Sequence, residues 1–279
     1  MRRESGILLP ITSLPSPYGI GCFSREAYEF IDYLKKAGQS YWQILPLGPT
    51  SYGDSPYQSF STFAGNPYFI SLEDLIEEGV LTREECAQAD PEVQEDSIDY
   101  AKLYEERYPL LRLAYERSDI SKNADFVRFC QENDWWLSDY ALFMAVKARF
   151  GGKAWTKWAQ DIRLRWGNAL DYYRRELYFD IEFHKYLQFT FFKQWSRLKA
   201  YANRQGIRII GDIPIYVAMD SADAWANPSL FQLDENNRPL AVAGCPPDGF
   251  SATGQLWGNP LYNWEYHRNT GYSWWISRL

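Results

Sequence analysis

Three segments of the chain hold polar side chains at a density that packing alone does not require. They are residues 51–68, 211–217 and 243–262. The first supplies a run of hydroxyls that includes Tyr57, and the second supplies the carboxylate of Asp212. Hydroxyl and carboxylate oxygens are the groups that orient the hydroxyls of a polar substrate.

The elements that precede these segments decide whether the two side chains meet. Apolar runs at 6–9, 41–45 and 207–211 predict three short strands, and a helix predicted at 24–37 joins the first two. Strands joined by a crossover helix lie parallel, so the loops after the second and third strands leave the sheet at the same end. The sequence therefore predicts that Tyr57 and Asp212 meet there.

Each of these segments also has a simpler interpretation. Tyr57 could be a turn residue that packs on Pro56, and Asp212 could cap the turn after its strand. The glycines and prolines of the third segment favour a mobile lid that carries the rings of Phe250 and Trp257. An irregular surface loop is the competing interpretation of that segment.

Most of the sequence between the second and third strands has a helical pattern. Ser71 is placed to cap a short helix, Thr82 and Glu85 form a capping box, and Gly151 follows one of the later helices. A stretch of this length is too long for an ordinary loop. We expect helices at 71–78, 122–133, 138–150, 168–177 and 181–205.

Strands that alternate with helices indicate an α/β fold. A carboxylate just past the C-terminal end of a parallel strand is where (β/α)8 TIM barrels place ligand contacts, so we expect about the first three strands of such a barrel. Residues 1–50 form its first part, 51–180 an inserted, mainly helical subdomain after the second strand, and 181–279 the barrel continued, ending before a fourth strand. The third strand is expected to be buried, and a last helix to begin near Asn269. Three parallel strands leave an open edge.

Composition and charge limit the classes of partner that this protein can bind. The net charge of −7, with no dense run of Lys and Arg, argues against nucleic acid. No apolar window reaches about 18 residues, and the apolar stretch near the N-terminus ends at Pro10, so we expect a cytoplasmic protein with no membrane partner. The four cysteines lack metal-ligand spacing and are expected to be buried free thiols. An aromatic content of 18% suits either stacking on sugars or a large aromatic core.

Three longer blocks carry a resemblance to a known family. In chain order they read SYGDSPYQSFSTFAGNPY, GDIPIYVAMDSADAWANP and GCPPDGFSATGQLWGNPLY. They resemble the signature blocks of the glycoside hydrolase family 77 4-α-glucanotransferases, and the similarity runs from ILLPITSLPSPYGIG to the final helix. The resemblance implies transfer of α-1,4-glucan segments from a maltooligosaccharide donor to the 4-hydroxyl of an acceptor sugar. It implies no metal, nucleotide or other cofactor.

The resemblance also implies roles for individual residues. Tyr57 and Asp212 match positions that contact the glucan near the bond being cut. Trp257 matches a tryptophan on the acceptor side of that bond.

Two further substrate contacts follow from the same resemblance. The loop at 245–254, with Asp248 and Phe250, matches a flexible loop over the cleft. Tyr52 and Tyr100 resemble a tyrosine pair at a second glucan-binding patch.

The catalytic carboxylates are expected outside this sequence. A retaining double displacement needs a nucleophile and an acid/base about 5–5.5 Å apart. The family carries its nucleophilic aspartate in an Arg-x-Asp-His setting, which the sequence lacks. Nothing in the spacing nominates a substitute pair among Asp54, Asp220, Asp223 and Asp248. We therefore expect the nucleophile and acid/base beyond Leu279, in a chain that is inactive alone. The alternatives are a non-catalytic α-glucan-binding module and an α-amylase-clan hydrolase.

Overall fold

The computed structural model describes residues 3–50, 55–89 and 97–279. Strands β1 (Gly6–Leu8), β2 (Tyr41–Gln43) and β3 (Arg208–Ile210) form a sheet in the order β1-β2-β3. Both pairings are parallel, and Trp42 lies between Ile7 and Ile209 in the register. The predicted α/β fold with parallel strands is confirmed.

The two faces of this sheet differ. On one face Trp42 is fully buried, and its ring packs 5.1 Å from the ring of Phe30. Side chains alternate along a strand, so Leu8, Gln43 and Ile210 lie together on the opposite face. There Leu8 is 54% exposed and Ile210 is 42% exposed. The prediction of a buried third strand is wrong, because Arg208 and Ile210 lie on the exposed face and Ile209 on the opposite face is only half-buried.

Helix α1 (Arg25–Lys36) crosses from β1 to β2. Its inner face buries Ala27, Ile31 and Leu34. The chain leaves the helix through Gly38, whose φ of 68° is readily adopted only by glycine. Ser24 precedes the helix, but its hydroxyl donates to the carboxylate of Glu26 and makes no capping hydrogen bond with the helix backbone.

Eight helices lie between β2 and β3 in the described residues. Two local predictions are confirmed: Ser71 Oγ accepts from the Asp74 amide, and Thr82 and Glu85 accept from each other's amides at 3.3 and 2.9 Å. The helices are α2 (Leu72–Glu77), α3 (Arg83–Ala89), α4 (Tyr100–Arg117), α5 (Ala124–Glu132), α6 (Asp134–Arg149), α7 (Gln160–Arg163), α8 (Gly167–Glu176) and α9 (Tyr178–Arg204).

Helix α4 is an element that the sequence pattern did not predict. Pro109 lies inside it and interrupts the helical hydrogen bonding. The helix forms nevertheless, because Leu111 and Ala114 are fully buried in the core. The guanidinium of Arg107, also buried, donates to the backbone carbonyls of Ile70 and Tyr18 and ties the helix to the chain that precedes it.

The buried side chains form two large clusters, and α9 contributes to both. The first, around Trp42 and Phe191, joins the sheet to α1, α2, α4 and much of α9. The second, around Phe143 and Trp225, joins α6, α7 and α8 to the region after β3. Much of the aromatic content lies inside these cores.

Two glutamines of α9 bind the chain that follows β2. Gln188 Oε1 accepts from the Gly65 amide at 2.7 Å, and its Nε2 donates to the Gly65 carbonyl at 2.9 Å. Gln194 pairs with the amide and carbonyl of Ser71 in the same way. Both side-chain amides are buried, so they satisfy backbone groups that water does not reach.

The region after β3 ends in a hairpin and two short helices. Helix α10 (Ala222–Ala226) precedes the antiparallel hairpin of β4 (Val242–Cys245) and β5 (Gln255–Pro260). Between α10 and β4 the chain turns at Asn237, which takes a φ of 58°. The single predicted last helix is instead two, α11 (Trp264–Asn269) and α12 (Ser273–Arg278), because Gly271 and Tyr272 take left-handed φ values between them.

The cysteines are all free thiols, of which Cys22 and Cys86 are buried and Cys130 and Cys245 are half-buried. In the described part of the chain, no helix is long and apolar enough to cross a membrane. The same residues hold no cluster of three or more His, Cys, Asp or Glu side chains arranged to bind a metal ion.

Candidate functional site

Tyr57 and Asp212 meet beyond the ends of β2 and β3. The Tyr57 hydroxyl donates to Asp212 Oδ2 at 2.7 Å, and the tyrosine remains 45% exposed. This hydrogen bond, together with partial burial and the negative charge of Asp212, raises the pKa of Tyr57, so the phenol stays protonated. The predicted convergence of the two residues is confirmed. The pair presents a phenol oxygen and a carboxylate to solvent.

The segment that carries Tyr57 is held from two sides. The Ala222 amide donates to the Phe60 carbonyl at 2.8 Å, and the Thr62 amide donates to Asp223 Oδ2 at 2.7 Å. Further along, Gln188 binds both backbone groups of Gly65. These bonds fix a segment that itself forms no helix or strand.

The segment that carries Asp212 is fixed by four side chains from elsewhere in the chain. It has no strand partner after Ile210, so its backbone carbonyls need donors from elsewhere. The donors are Arg278 to Pro214 at 2.5 Å, Tyr262 to Ile215 at 2.8 Å, Asn259 to Val217 at 2.9 Å and Trp155 to Met219 at 2.6 Å.

An ion pair between a buried lysine and a half-buried aspartate closes the far end of this segment. Lys147 Nζ on α6 lies 2.5 Å from Asp220 Oδ2, and the Trp155 amide donates to the other oxygen of the same carboxylate. The ammonium also sits 4.8 Å from the ring centre of Phe60, in the segment that carries Tyr57. Lys147 thus contacts both segments.

A cavity of about 310 Å³ lies against Asp212. Thr62 and Phe63 line it from the first segment, and Ile213 and Pro214 line it from the second. Its volume is at the lower end of the range for small-molecule sites.

Trp257 lies beside the same segment on β5. Its ring is 45% exposed, and its centre is 6.1 Å from that of Tyr216, four residues after Asp212. The indole Nε1 donates to Gln255 Oε1 at 2.9 Å, which fixes the ring orientation. An exposed flat ring next to polar groups can stack on a sugar.

Phe250 and Asp248 lie at the tip of the hairpin. Phe250 is 99% exposed, and Asp248 Oδ1 accepts from the amides of Phe250 and Ser251 at 2.9 and 2.8 Å. Asp248 therefore shapes the turn that presents Phe250. Among the described residues, no hydrogen bond or ring contact joins these two side chains to Tyr57 or Asp212.

Of Tyr52 and Tyr100, the pair expected at a second glucan-binding patch, only Tyr100 lies in the described residues. Tyr52 lies outside the described residues, as does Asp54. Tyr100 begins α4, with its ring centre 6.4 Å from that of Tyr68, and lines a small cavity of about 70 Å³ together with Pro56. The structure thus brings Tyr100 close to the segment that carries Tyr57.

Sequence reasoning gave no role to Asp223, Lys147 or Tyr216. For Asp223 a signal was present, because its neighbours Ala222, Ala224 and Trp225 are apolar, and a carboxylate in such a run needs a buried partner. For Lys147 there was none, since its partner Asp220 is 73 residues away.

Comparison with known proteins decides the family. The glycoside hydrolase family 77 model, described as 4-alpha-glucanotransferase, matches residues 9–279. The chain belongs to the 4-alpha-glucanotransferase family. It is 51% identical over 280 residues to the 4-alpha-glucanotransferase of Streptococcus pneumoniae and 50% identical over 281 residues to that of Thermus thermophilus. These matches cover 100% and 99% of the chain but 55% of each relative, so the chain spans about half of their length.

Solved structures agree with this family assignment. An amylomaltase from Streptococcus agalactiae, in complex with acarbose, matches with a TM-score of 0.95 and 47% identity, over 99% of this chain and 56% of that one. An amylomaltase from Corynebacterium glutamicum matches with a TM-score of 0.77 over 99% of this chain and 38% of that one. At 23% identity, the second match shows the fold alone.

Proposed function

We propose that this chain carries glucan-contacting residues of a 4-α-glucanotransferase that moves α-1,4-glucan segments from a maltooligosaccharide donor to the 4-hydroxyl of an acceptor sugar. The observation that carries the proposal is the 2.7 Å hydrogen bond between Tyr57 and Asp212, which joins two signature blocks of the family in one exposed pair. The acarbose bound to the Streptococcus agalactiae relative supports a sugar-like ligand.

The pair has the hydrogen-bonding groups needed to bind sugar hydroxyls. The Tyr57 hydroxyl donates its hydrogen bond to Asp212, so the phenol oxygen is left to accept from a sugar hydroxyl, while Asp212 keeps lone pairs for other sugar hydroxyls. Trp257 supplies an exposed ring for the acceptor side of the bond. We assign Asp248 and Phe250 to a loop over the cleft, and Tyr52 and Tyr100 to a second glucan patch.

The bond-breaking carboxylates are proposed to come from outside this sequence. A retaining double displacement needs a nucleophile and an acid/base, and the family's Arg-x-Asp-His motif is absent from the 279 residues. Asp212 can orient a hydroxyl but cannot serve as both catalytic groups. By itself the chain then binds glucan without transferring it.

The same proposal extends to architecture and setting. The three strands are part of a (β/α)8 barrel whose inner face is the exposed face of Leu8, Gln43 and Ile210. Residues 1–50 and 181–279 belong to the barrel, and 51–180 to the inserted helical subdomain. The protein acts in the cytoplasm on α-1,4-glucans, without nucleic acid or membrane partners.

Binding and turnover test the proposal together. Maltoheptaose is titrated into the 279-residue chain by calorimetry, and maltotriose is supplied to follow disproportionation. Tyr57→Phe and Asp212→Asn should each weaken binding about tenfold, the effect of one lost sugar hydrogen bond in a partly exposed site. Tyr33→Phe and Asp171→Asn, exposed residues of α1 and α8, are the matched controls.

Three results would contradict the proposal. Binding that is unchanged in both site variants would remove the pair from the glucan site. Rapid disproportionation by the isolated chain would show that it contains its own catalytic carboxylates. Release of glucose to water without longer products would indicate a hydrolase instead of a transferase.

A further inference from the structure

The pairing of Tyr57 with Asp212 needs support from elsewhere in the structure. Both residues stand on irregular segments, 55–64 and 211–221, and both are accessible to solvent. A single exposed hydrogen bond is too weak to hold two such segments in register. The hydrogen bonds that hold the two segments are made by buried residues around α10.

Asp223 bonds the first of these segments directly to α10. It lies in the first turn of α10, and its side chain is buried. Its Oδ2 accepts from the Thr62 amide at 2.7 Å, five residues after Tyr57. The adjacent Ala222 amide donates to the Phe60 carbonyl at 2.8 Å. The start of α10 is thus bonded to the first segment at two points.

Arg278 binds the second segment. Its guanidinium donates to the Pro214 carbonyl at 2.5 Å, two residues after Asp212, and lies over the rings of Trp274 and Trp275. Burial raises the pKa of Asp223 and lowers that of Arg278, and the opposite charges of the two groups counter both shifts. Two further guanidinium nitrogens, Nε and NH1, are buried without a hydrogen-bond partner. The negative charge of Asp223 therefore offsets part of the cost of burying this cation.

A carboxylate is an unusual choice for this place if packing were its only role. Ala222, Ala224 and Trp225 around it are buried and apolar, and burial raises the pKa of Asp223, which the Thr62 amide and Arg278 oppose. An apolar side chain would fill the space without the cost of desolvating a charge. It could not accept the hydrogen bond from the Thr62 amide.

We propose that Asp223 is a positioning residue for the candidate site. The segment of Asp212 continues directly into α10, and Asp223 at the start of that helix holds the segment of Tyr57 against it by accepting from the Thr62 amide. The expected effect of Asp223 on glucan binding rests on the proposed function. The consequence for the geometry of Tyr57 and Asp212 does not.

The test reads that geometry directly. 3-Fluorotyrosine is placed at position 57 of the full 279-residue chain, and its ¹⁹F resonance is compared between wild type and Asp212→Asn, which defines the signal without the charged acceptor. Asp223→Ala removes the Thr62 acceptor, whereas Asp223→Asn keeps an acceptor oxygen. Asp139→Asn changes a carboxylate of α6 that pairs with Arg165 outside both segments, and serves as the control.

The expected result is that Asp223→Ala moves the resonance to the Asp212→Asn position or broadens it, while Asp223→Asn and Asp139→Asn keep the wild-type signal. The proposal is overturned if folded Asp223→Ala keeps the wild-type signal. It is also overturned if Asp223→Asn loses the signal as fully as Asp223→Ala, because rescue by an amide oxygen is then absent.

A measurement on the wild-type chain covers the case in which Asp223→Ala does not fold. The Thr62 amide should exchange with deuterium at least about 100-fold more slowly than in an unstructured peptide, and Asp223→Asn should keep most of that protection. Exchange at the unstructured rate in the wild-type chain would contradict the proposal.

Maltoheptaose affinity separates this inference from the proposed function. If both hold, Asp223→Ala weakens binding by about as much as Asp212→Asn, and Asp223→Asn restores it. If wild type binds no maltoheptaose but the ¹⁹F signals behave as expected, the function fails and the positioning role stands.

Discussion

At the scale of residues, the sequence could predict those contacts of the site that follow from the direction of the strands alone. Parallel strands bring the residues after β2 and β3 to one end, which is why Tyr57 and Asp212 could be paired from the sequence. Asp223 and Lys147 could not be paired in this way. Their partners, Thr62 and Asp220, are 161 and 73 residues away, on elements whose packing no local pattern specifies.

Gly65 offers a test of how tightly the first segment packs on α9. A Cβ at this position would lie 2.2 Å from ring atoms of Phe191, whose ring is buried in the core and cannot move aside freely. Gly65→Ala should therefore lower the free energy of unfolding by about 3 kcal/mol. Gly167→Ala, where a Cβ meets nothing within 4 Å, should change it by less than about 1 kcal/mol. Urea titration measures both, and similar effects would show that the contact with Phe191 is relieved at little cost.

At the scale of elements, local signals predicted boundaries better than burial. The caps at Ser71 and Thr82 depend on residues three positions apart, and both form as predicted. Helix α4 was missed because Pro109 interrupts its pattern, while the packing that maintains it comes from the core. The burial of β3 was predicted wrongly because a strand's own sequence does not show which of its faces another element covers.

The glutamine pairs of α9 lead to a stability prediction. Gln188→Leu leaves the Gly65 amide and carbonyl buried without partners, so the free energy of unfolding should fall by about 3 kcal/mol. Gln131→Leu, on an exposed position of α5, should change it by less than about 0.5 kcal/mol. Chemical denaturation compares the two, and a small loss for Gln188→Leu would mean that water replaces the amide.

His184, also on α9, gives a pH-dependence. Burial, with the positive charge of Arg112, lowers the pKa of His184 to about 3, whereas the unfolded chain takes up the proton near pH 6.5. The stability it contributes is present above pH 6.5 and is lost as pH falls toward 3, at about 1.4 kcal/mol per pH unit. Between pH 7 and pH 5, wild type should lose about 2 kcal/mol more than His184→Gln. Parallel stability curves for the two proteins would refute a buried neutral imidazole.

At the scale of the whole molecule, the exposed face of the sheet is the feature that stands out. Leu8 and Ile210 flank Gln43 on a face that the helices leave uncovered, and β1 and β3 each have an unpaired edge in the described residues. Exposed apolar strands with free edges favour association with other chains.

We therefore expect the isolated chain to self-associate as its concentration rises. Replacing both Leu8 and Ile210 by Lys places charges on this face and should shift the chain toward monomer in sedimentation velocity. Replacing Tyr33 and Tyr172, exposed side chains of α1 and α8, by Lys is the control and should leave association unchanged. A wild-type chain that stays monomeric at high concentration would contradict this expectation.

The central claim is that the segments after β2 and β3 form one sugar-binding site. A crystal structure of the chain with bound acarbose tests it most directly. We predict that the Tyr57 hydroxyl and the Asp212 carboxylate both lie within about 3 Å of hydroxyls on the same sugar ring. Acarbose bound elsewhere, with neither side chain in contact, would contradict the claim.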